Sequence, residues 1–365
     1  MTAYILMVAL PYLLFLVFLV FKLTGHEISR EVEIKMHLIL FFSLFFVTLA
    51  LRHKSIGVDM QNYLTKYHRI ALYDISYVWD NSGSIDIGYG LLNKFFAQLG
   101  FDDRIFIAAI SFMMVAPIAW LYCRESDNWM LTVSLFLILP IFTMCFSGFR
   151  QALAIAVVPF AFYFAQKRKL IGFIITVLLA MSFHNSAVFL AFLYPVFHMR
   201  LTKRSLYFIV PSLILAFILN RQIYALVLGI LGGKYEERYS DMSGTGAYTM
   251  LILFILLAVF SFVFTDESKM DKYDFGLRNI LLLIVVLQFF APVNSIAMRV
   301  NYYYLLFLPI IIPRMVVCHN DRYKNFVYIA QYGMVALFTF YFFYKLSHGS
   351  DTMRIYPYLP YWSGI

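Results

Sequence analysis

The sequence predicts an all-α polytopic membrane protein of about 12 transmembrane helices, several short or broken, with two long extracytoplasmic loops carrying interfacial helices. Three observations lead there. Of 365 residues, 62% are hydrophobic and 13% charged, with a mean hydropathy of +0.78. A soluble domain holds roughly 45–50% apolar and about 25% charged residues. Water could not accommodate the excess apolar surface, but a bilayer can. The apolar residues also fall in runs divided by basic or polar segments. Finally, aromatics reach 19%, with Phe 39 and Tyr 27 against Trp 4, which suits aromatic helix faces and interfacial belts. The same numbers exclude disorder, collagen, coiled coil and a secreted disulfide scaffold.

The apolar spans read 3–21, 35–51, 104–122, 129–146, 152–165, 170–183, 186–197, 205–219, 247–264, 279–291, 300–317 and 326–344. Residues 1–365 form one integral membrane domain in this reading, with 52–103 and 220–246 as its long loops. Each loop contains a part-apolar stretch, Leu91–Leu99 and Gln222–Leu231, suited to a helix lying at the interface. Residues 1–22 lack a basic start and a small-residue cleavage site, so they read as a retained helix. Cys123, Cys145 and Cys318 are too scattered for a disulfide or a zinc site.

Net charge is +9. Nucleic acid is not the expected partner, because no basic run interleaves with aromatics in a soluble segment. Topology accounts for the charge better. Sixteen of the 29 basic residues, among them Lys167-Arg168-Lys169, Arg200, Lys203 and Arg204, collect on one side in the shorter loops. The positive-inside rule makes that side cytoplasmic, and both long loops and both termini extracytoplasmic.

Residues 170–197 are apolar except at His184-Asn185-Ser186. One helix of that length would measure about 42 Å, against a hydrocarbon core of about 30 Å. Broken at His184, it becomes two arms of about 21 Å, which holds the histidine below headgroup level. Residues 129–165 repeat the design around Ser147-Gly148-Phe149-Arg150-Gln151. A third apex, Asn294–Arg299, places another arginine at the same depth. An unpaired arginine at mid-membrane costs about 2.5–3.5 kcal/mol, so Arg150, His184 and Arg299 are expected around one cavity opening outward.

Arginine forks grip phosphate oxygens bidentately. The bland alternative is that each arginine snorkels to headgroups or pairs with a loop carboxylate. Beside such cations a neutral His184 is a candidate general base, with Asn185 to orient it; alone, it would read as a capping histidine. Asp59 with Tyr63, and Asp86 with Tyr89, are the carboxylate–tyrosine chemistry that grips sugar hydroxyls, although turn residues of a solvated loop look the same. Glu236, Glu237 and Asp241 are weaker candidates. Val300–Tyr304 reads first as an aromatic belt. Phosphate loops, HExxH, GxSxG and paired metal carboxylates are absent in plausible context.

In order, Gly57-Val58-Asp59 with Tyr63, Asp86-Ile87-Gly88-Tyr89 with Leu92, Ser147-Gly148-Phe149-Arg150-Gln151 with Ala154, His184-Asn185-Ser186-Ala187, and Arg299 with Tyr303 and Pro309 resemble the Wzy/EpsG family of bacterial polysaccharide repeat-unit polymerases. Tyr356-Pro357-Tyr358 also fits. The family often carries Glu where this chain has Asp86. The resemblance implies a GT-C-like architecture in the bacterial inner membrane, with the active site facing outward. It implies transfer of a growing glycan from undecaprenyl diphosphate to a new lipid-linked repeat unit, without cofactor or metal. Donor and acceptor lipids are then the partners, together with membrane lipid, and a chain-length regulator protein is left open. On that reading Arg150 and Arg299 hold the diphosphate with Gln151, and His184, or else Asp59, is the base. Asp86, Tyr89, Asn185 and Tyr303 contact substrate. An O-antigen ligase using the same donor is the enzymatic rival. A lipid-linked sugar flippase or secondary transporter is the rival from another class, but the two apices at 147–151 and 184–186 give no inverted symmetry.

Overall fold

A computed structural model of the chain describes residues 1–82, 85–231, 247–349 and 353–363. Among them there is no strand, only isolated bridges pairing Arg52 with Pro360 and Thr265 with His319. Glu236, Glu237 and Asp241 lie outside the described residues. Two compact units are distinguished: Met1–Val188 with Tyr332–Ile365, and Phe189–Gln331.

The first unit opens with α1 (Thr2–Leu23) and α2 (Arg30–Ala50). Ser29 caps α2 by accepting from the Val32 amide, and Glu31 and Glu33 occupy its positive first turn. The long polar segment then folds into α3 (Met60–Leu72), α4 (Ser76–Asp80) and α5 (Ile87–Gln98). On α3 the buried residues Met60, Tyr63, Leu64, Tyr67 and Ile70 make the single apolar stripe of an amphipathic helix. α6 (Asp103–Glu125) is capped by Asp102, whose carboxylate accepts from the amides of Arg104 and Ile105.

α7 (Trp129–Ile138) and α8 (Pro140–Ser147) are one apolar run bent by 59°. Pro140 causes the bend: it forces Leu139 into an extended conformation and cannot donate to the preceding turn. A second break follows at Gly148, after which α9 (Phe149–Gln166) begins. A Cβ there would meet the Met144 sulfur, so a larger residue requires that side chain to shift. α10 (Leu170–Phe183) ends at His184, whose backbone is extended, and a 3-10 stretch, Asn185–Phe192, follows.

α9 packs between α6 and α10, and α2 packs on α1, α6 and α7. Thirteen of the eighteen residues of α9 are buried. By contrast α10 exposes Ile171, Ile175 and Leu178, and α18 (Lys324–His348), placed from Tyr332 onward in this unit, exposes Leu337 and Phe340. Apolar residues are turned both inward and outward, as a lipid solvent requires. The interior is aromatic: Phe45 stacks on Phe142 at 4.9 Å, and Phe136 meets Phe41, Phe42 and Phe45 edge-on.

The C-terminal residues fasten the start of the long polar segment. The amides of His53, Gly57 and Val58 donate to Leu359, Arg354 and Met353, and the Tyr361 amide returns a bond to Leu51. Tyr4 and Tyr358 add hydroxyl bonds to Ile355 and Thr48.

The second unit contains α11 (Leu193–His198), α12 (Leu206–Ile218), α13 (Asn220–Leu231), α14 (Tyr248–Val263), α15 (Lys272–Gln288), α16 (Ser295–Leu305) and α17 (Leu308–Val317). α15 is its centre, in contact with α11, α12, α14, α16 and α17. Its buried charges are matched: Asp274 pairs with Arg314 at 2.6 Å, and Arg278 pairs with Glu267 at 2.5 Å.

All twelve apolar stretches are helical, but length and apolarity qualify five helices to cross a membrane, or up to eight if each bent pair is one span. The breaks shorten the rest. Gln222–Leu231 and most of Leu91–Leu99 do form helices, α13 and α5.

Gly57 has φ +98°, and a Cβ there would overlap the Phe146 carbonyl oxygen. Gly57→Ala should therefore destabilise the first unit by more than about 1 kcal/mol. A thermal unfolding series in detergent checks this; an unchanged midpoint would show that the docking of this turn carries no stability.

Candidate functional site

The sequence candidates meet at one place in the first unit. Arg150 sits in the first turn of α9, on the helix rather than in a loop before it. Its Nη1 donates to Asp86 Oδ2 at 2.8 Å. The same carboxylate oxygen lies 3.9 Å from His184 Nδ1. The side chains of Arg150, Asp86 and His184 are 30%, 8% and 27% exposed, so the carboxylate is deep and both its neighbours reach solvent.

Asp86 arrives there because of Gly88. A Cβ on Gly88 would overlap the Ser182 side chain and stand 2.9 Å from its carbonyl oxygen, so only glycine lets the first turn of α5 lie against the last turn of α10. His184 follows Ser182 by two residues and Asp86 precedes Gly88 by two. The close approach of two backbones thus brings imidazole and carboxylate together.

Arg150 is braced from α3. The Tyr63 hydroxyl is within hydrogen-bonding reach of it. The Tyr63 ring stacks on Phe149 at 4.8 Å and meets Tyr89 edge-on at 5.7 Å. Burial raises both phenols, Tyr89 most, so each keeps its proton. Below Phe149 lies the buried Arg52. It donates to the Cys145 carbonyl at 3.1 Å and faces the Phe146 and Phe149 rings at 5.4 and 5.2 Å.

In this cluster Arg150 Nε, His184 Nδ1, the Tyr89 hydroxyl and, on Arg52, Nε and Nη2 are buried with no hydrogen-bond partner among the described residues. Unsatisfied buried donors are uncommon and call for a water or a ligand. The N-termini of α5 and α9 also converge here, since Asp86 precedes one and Arg150 opens the other. Their partial positive charges add to the guanidinium. The cluster suits an anion.

Of the remaining candidates, Asp59 caps α3 in position but makes no side-chain capping bond. Gln151 is buried next to Arg150, and Asn185 is exposed next to His184. Ser147 is structural: its hydroxyl accepts from the Val58 amide at 2.8 Å and donates to the Met353 carbonyl at 3.1 Å. Arg299 and Tyr303 belong to the second unit, on α16. Arg299 is exposed and lies in the second turn of the helix, whereas the sequence placed it at an apex. Tyr303 is fully buried.

The sequence pairs Tyr63 with Asp59 as a sugar-gripping group rather than as a brace for Arg150, and does not single out Lys66. Tyr63 and Lys66 follow Asp59 by four and seven residues, which puts all three on one face of α3. Burial, and after it the Arg150 guanidinium, lower the Lys66 ammonium below the usual lysine range, while Asp86 and Asp59 oppose the shift. Lys66 is therefore a further cation in the field of the pair.

The family model described as EpsG family matches residues 35–360. No curated protein and no solved structure matches the chain.

Tyr63→Phe keeps the stacking on Phe149 and removes one bond to Arg150, so it should cost about 0.5–1.5 kcal/mol of stability. Tyr63→Ala, which also opens a cavity, should cost about 3–5 kcal/mol. An unchanged midpoint for Tyr63→Phe in thermal unfolding would show that the hydroxyl braces nothing.

Proposed function

The chain belongs to the EpsG family, a Wzy-like polysaccharide polymerase family, and we propose that it polymerises lipid-linked repeat units at the Asp86–Arg150–His184 cluster. The donor in this reading is a growing glycan on undecaprenyl diphosphate. The acceptor is the non-reducing end of a new lipid-linked unit. The reaction runs on the outer face of the bacterial inner membrane. The observation that carries the reading is Arg150, held by one buried carboxylate at the meeting of two helix N-termini, with an imidazole beside it.

The chemistry follows from the bond to be broken. An acceptor hydroxyl oxygen attacks the anomeric carbon of the donor. The bond from that carbon to the diphosphate oxygen breaks, and its electron pair leaves with the phosphate. The hydroxyl proton passes to Nε2 of His184, or to Asp59 if that carboxylate is the base. Negative charge grows on the leaving diphosphate, and fixed positive groups aimed there lower the barrier most. Arg150, the α9 N-terminus and Lys66 supply such charge in the first unit, so the reading requires no metal. Gln151 assists Arg150 at the diphosphate, and Asn185 steadies the imidazole. The Tyr89 hydroxyl, buried and without a partner, is a donor for a sugar oxygen. About twelve crossings in a GT-C-like arrangement would leave the polar segment that folds as α3–α5 on the outer side. A chain-length regulator protein is a prospective partner.

Arg150→Ala should abolish polymer and leave single lipid-linked units, with a rate loss of at least about 10²-fold. Arg150→Lys should fare little better, because an ammonium lacks the bidentate fork. Gel analysis of the cell's glycans reads both variants. Polymer of normal length from Arg150→Ala would remove Arg150 from the mechanism.

A further inference from the structure

Asp86 faces two donors with a single oxygen. Arg150 Nη1 holds Oδ2 at 2.8 Å, while His184 Nδ1 waits 3.9 Å from the same atom, buried and without a partner. A hydrogen bond needs roughly 2.7–3.2 Å, so about 1 Å of movement separates the imidazole from it. We propose that Asp86 is a positioning residue that changes partner: a diphosphate bound by Arg150 releases the carboxylate, which closes on His184 Nδ1 and makes Nε2 a base.

The inference rests on the reading that Arg150 binds diphosphate. Its physical argument is competition. A diphosphate and a carboxylate are both anions, and both want the same guanidinium. The diphosphate brings more charge and more acceptor oxygens, so it wins the fork. Asp86 is then left 8% exposed beside a like charge, an arrangement that costs free energy unless it moves to another donor. The nearest donor with nothing to bond is His184 Nδ1. Tyr63 keeps its own contact with Arg150, so the guanidinium stays in place while the carboxylate leaves.

Two consequences belong to this exchange. A carboxylate on Nδ1–H fixes the tautomer whose Nε2 lone pair can take a proton, and it stabilises the imidazolium formed when the proton arrives. While Asp86 stays on Arg150, His184 lacks that support. The base is therefore assembled only when the donor is present, which limits proton abstraction with no glycan to transfer. The packing of Gly88 on Ser182 keeps the two groups within a short movement of each other. The proposal moves Asp86 from the sugar, where the sequence placed it, to the imidazole.

The test is nitrogen NMR of the full-length chain in lipid nanodiscs, with 15N-histidine and inorganic pyrophosphate as the probe, at fixed pH. His184→Gln identifies the His184 signal among the 8 histidines. In the wild-type chain, pyrophosphate should move the His184 Nδ1 resonance to that of a hydrogen-bonded Nδ1–H. Asp86→Asn should bind pyrophosphate as tightly or several-fold more tightly, because Arg150 has lost its competitor, yet leave His184 unchanged. Asp86→Glu should restore part of the response. Pyrophosphate binding to the wild-type chain with no change at His184 overturns the exchange and leaves the diphosphate reading intact. So does weaker binding by Asp86→Asn. A wild-type chain that does not bind pyrophosphate at all overturns the diphosphate reading, and the exchange falls with it.

Discussion

The ion pair between Asp86 and Arg150 is the contact on which the site depends. A guanidinium in the first turn of a helix stands against that helix's own partial positive charge. Buried among aromatic rings it would be costlier still. Asp86 offsets both effects, and it comes from a segment 64 residues away in the chain. Folding the polar segment onto the apolar helices and neutralising Arg150 are thus one event. Removing either partner would leave a desolvated charge behind, a larger loss than the pair's own contribution.

The surrounding architecture reads as support for that pair. Gly88 sets the distance between α5 and α10, and Gly148 starts α9 where Arg150 is needed. Tyr63, stacked on Phe149, reaches the guanidinium from α3. Arg52 bonds to the Cys145 carbonyl, and Ser147 holds the turn at Gly57 and Val58, which residues 353–361 in turn bind through backbone bonds. Among the buried polar atoms that this packing leaves without a partner are Arg150 Nε and His184 Nδ1, which flank the Asp86 carboxylate.

Much of this was legible in the sequence, and the reasons are local. Apolar runs gave the helices. The polar interruptions at Ser147–Gln151 and His184–Ser186 gave the breaks, because Gly148 and the length of the 170–197 run both signal an interrupted helix. The expectation that Arg150 and His184 lie near each other follows from the cost of polar groups at depth, and both stand beside Asp86. The pairing of Asp86 with Arg150 was not legible. It was an anticipated alternative for any buried arginine, but no spacing rule links residues so far apart, and the Gly88–Ser182 approach that creates it is tertiary. Tyr63 and Lys66 could have been found from their heptad-like spacing after Asp59. Arg299 was placed at an apex because the chain there is polar, whereas Asn294 is followed directly by a helix. The number of crossings is less legible: the sequence reads each of twelve apolar runs as a span, while five helices qualify by length and apolarity, or up to eight if each bent pair is one span.

The most direct measurement is a cryo-electron-microscopy structure of the full chain with undecaprenyl diphosphate bound. The account predicts a phosphate oxygen within about 2.7–3.2 Å of an Arg150 nitrogen, with the Asp86 carboxylate withdrawn from it toward His184. Diphosphate density away from Arg150, with the Asp86–Arg150 pair still closed, would contradict it.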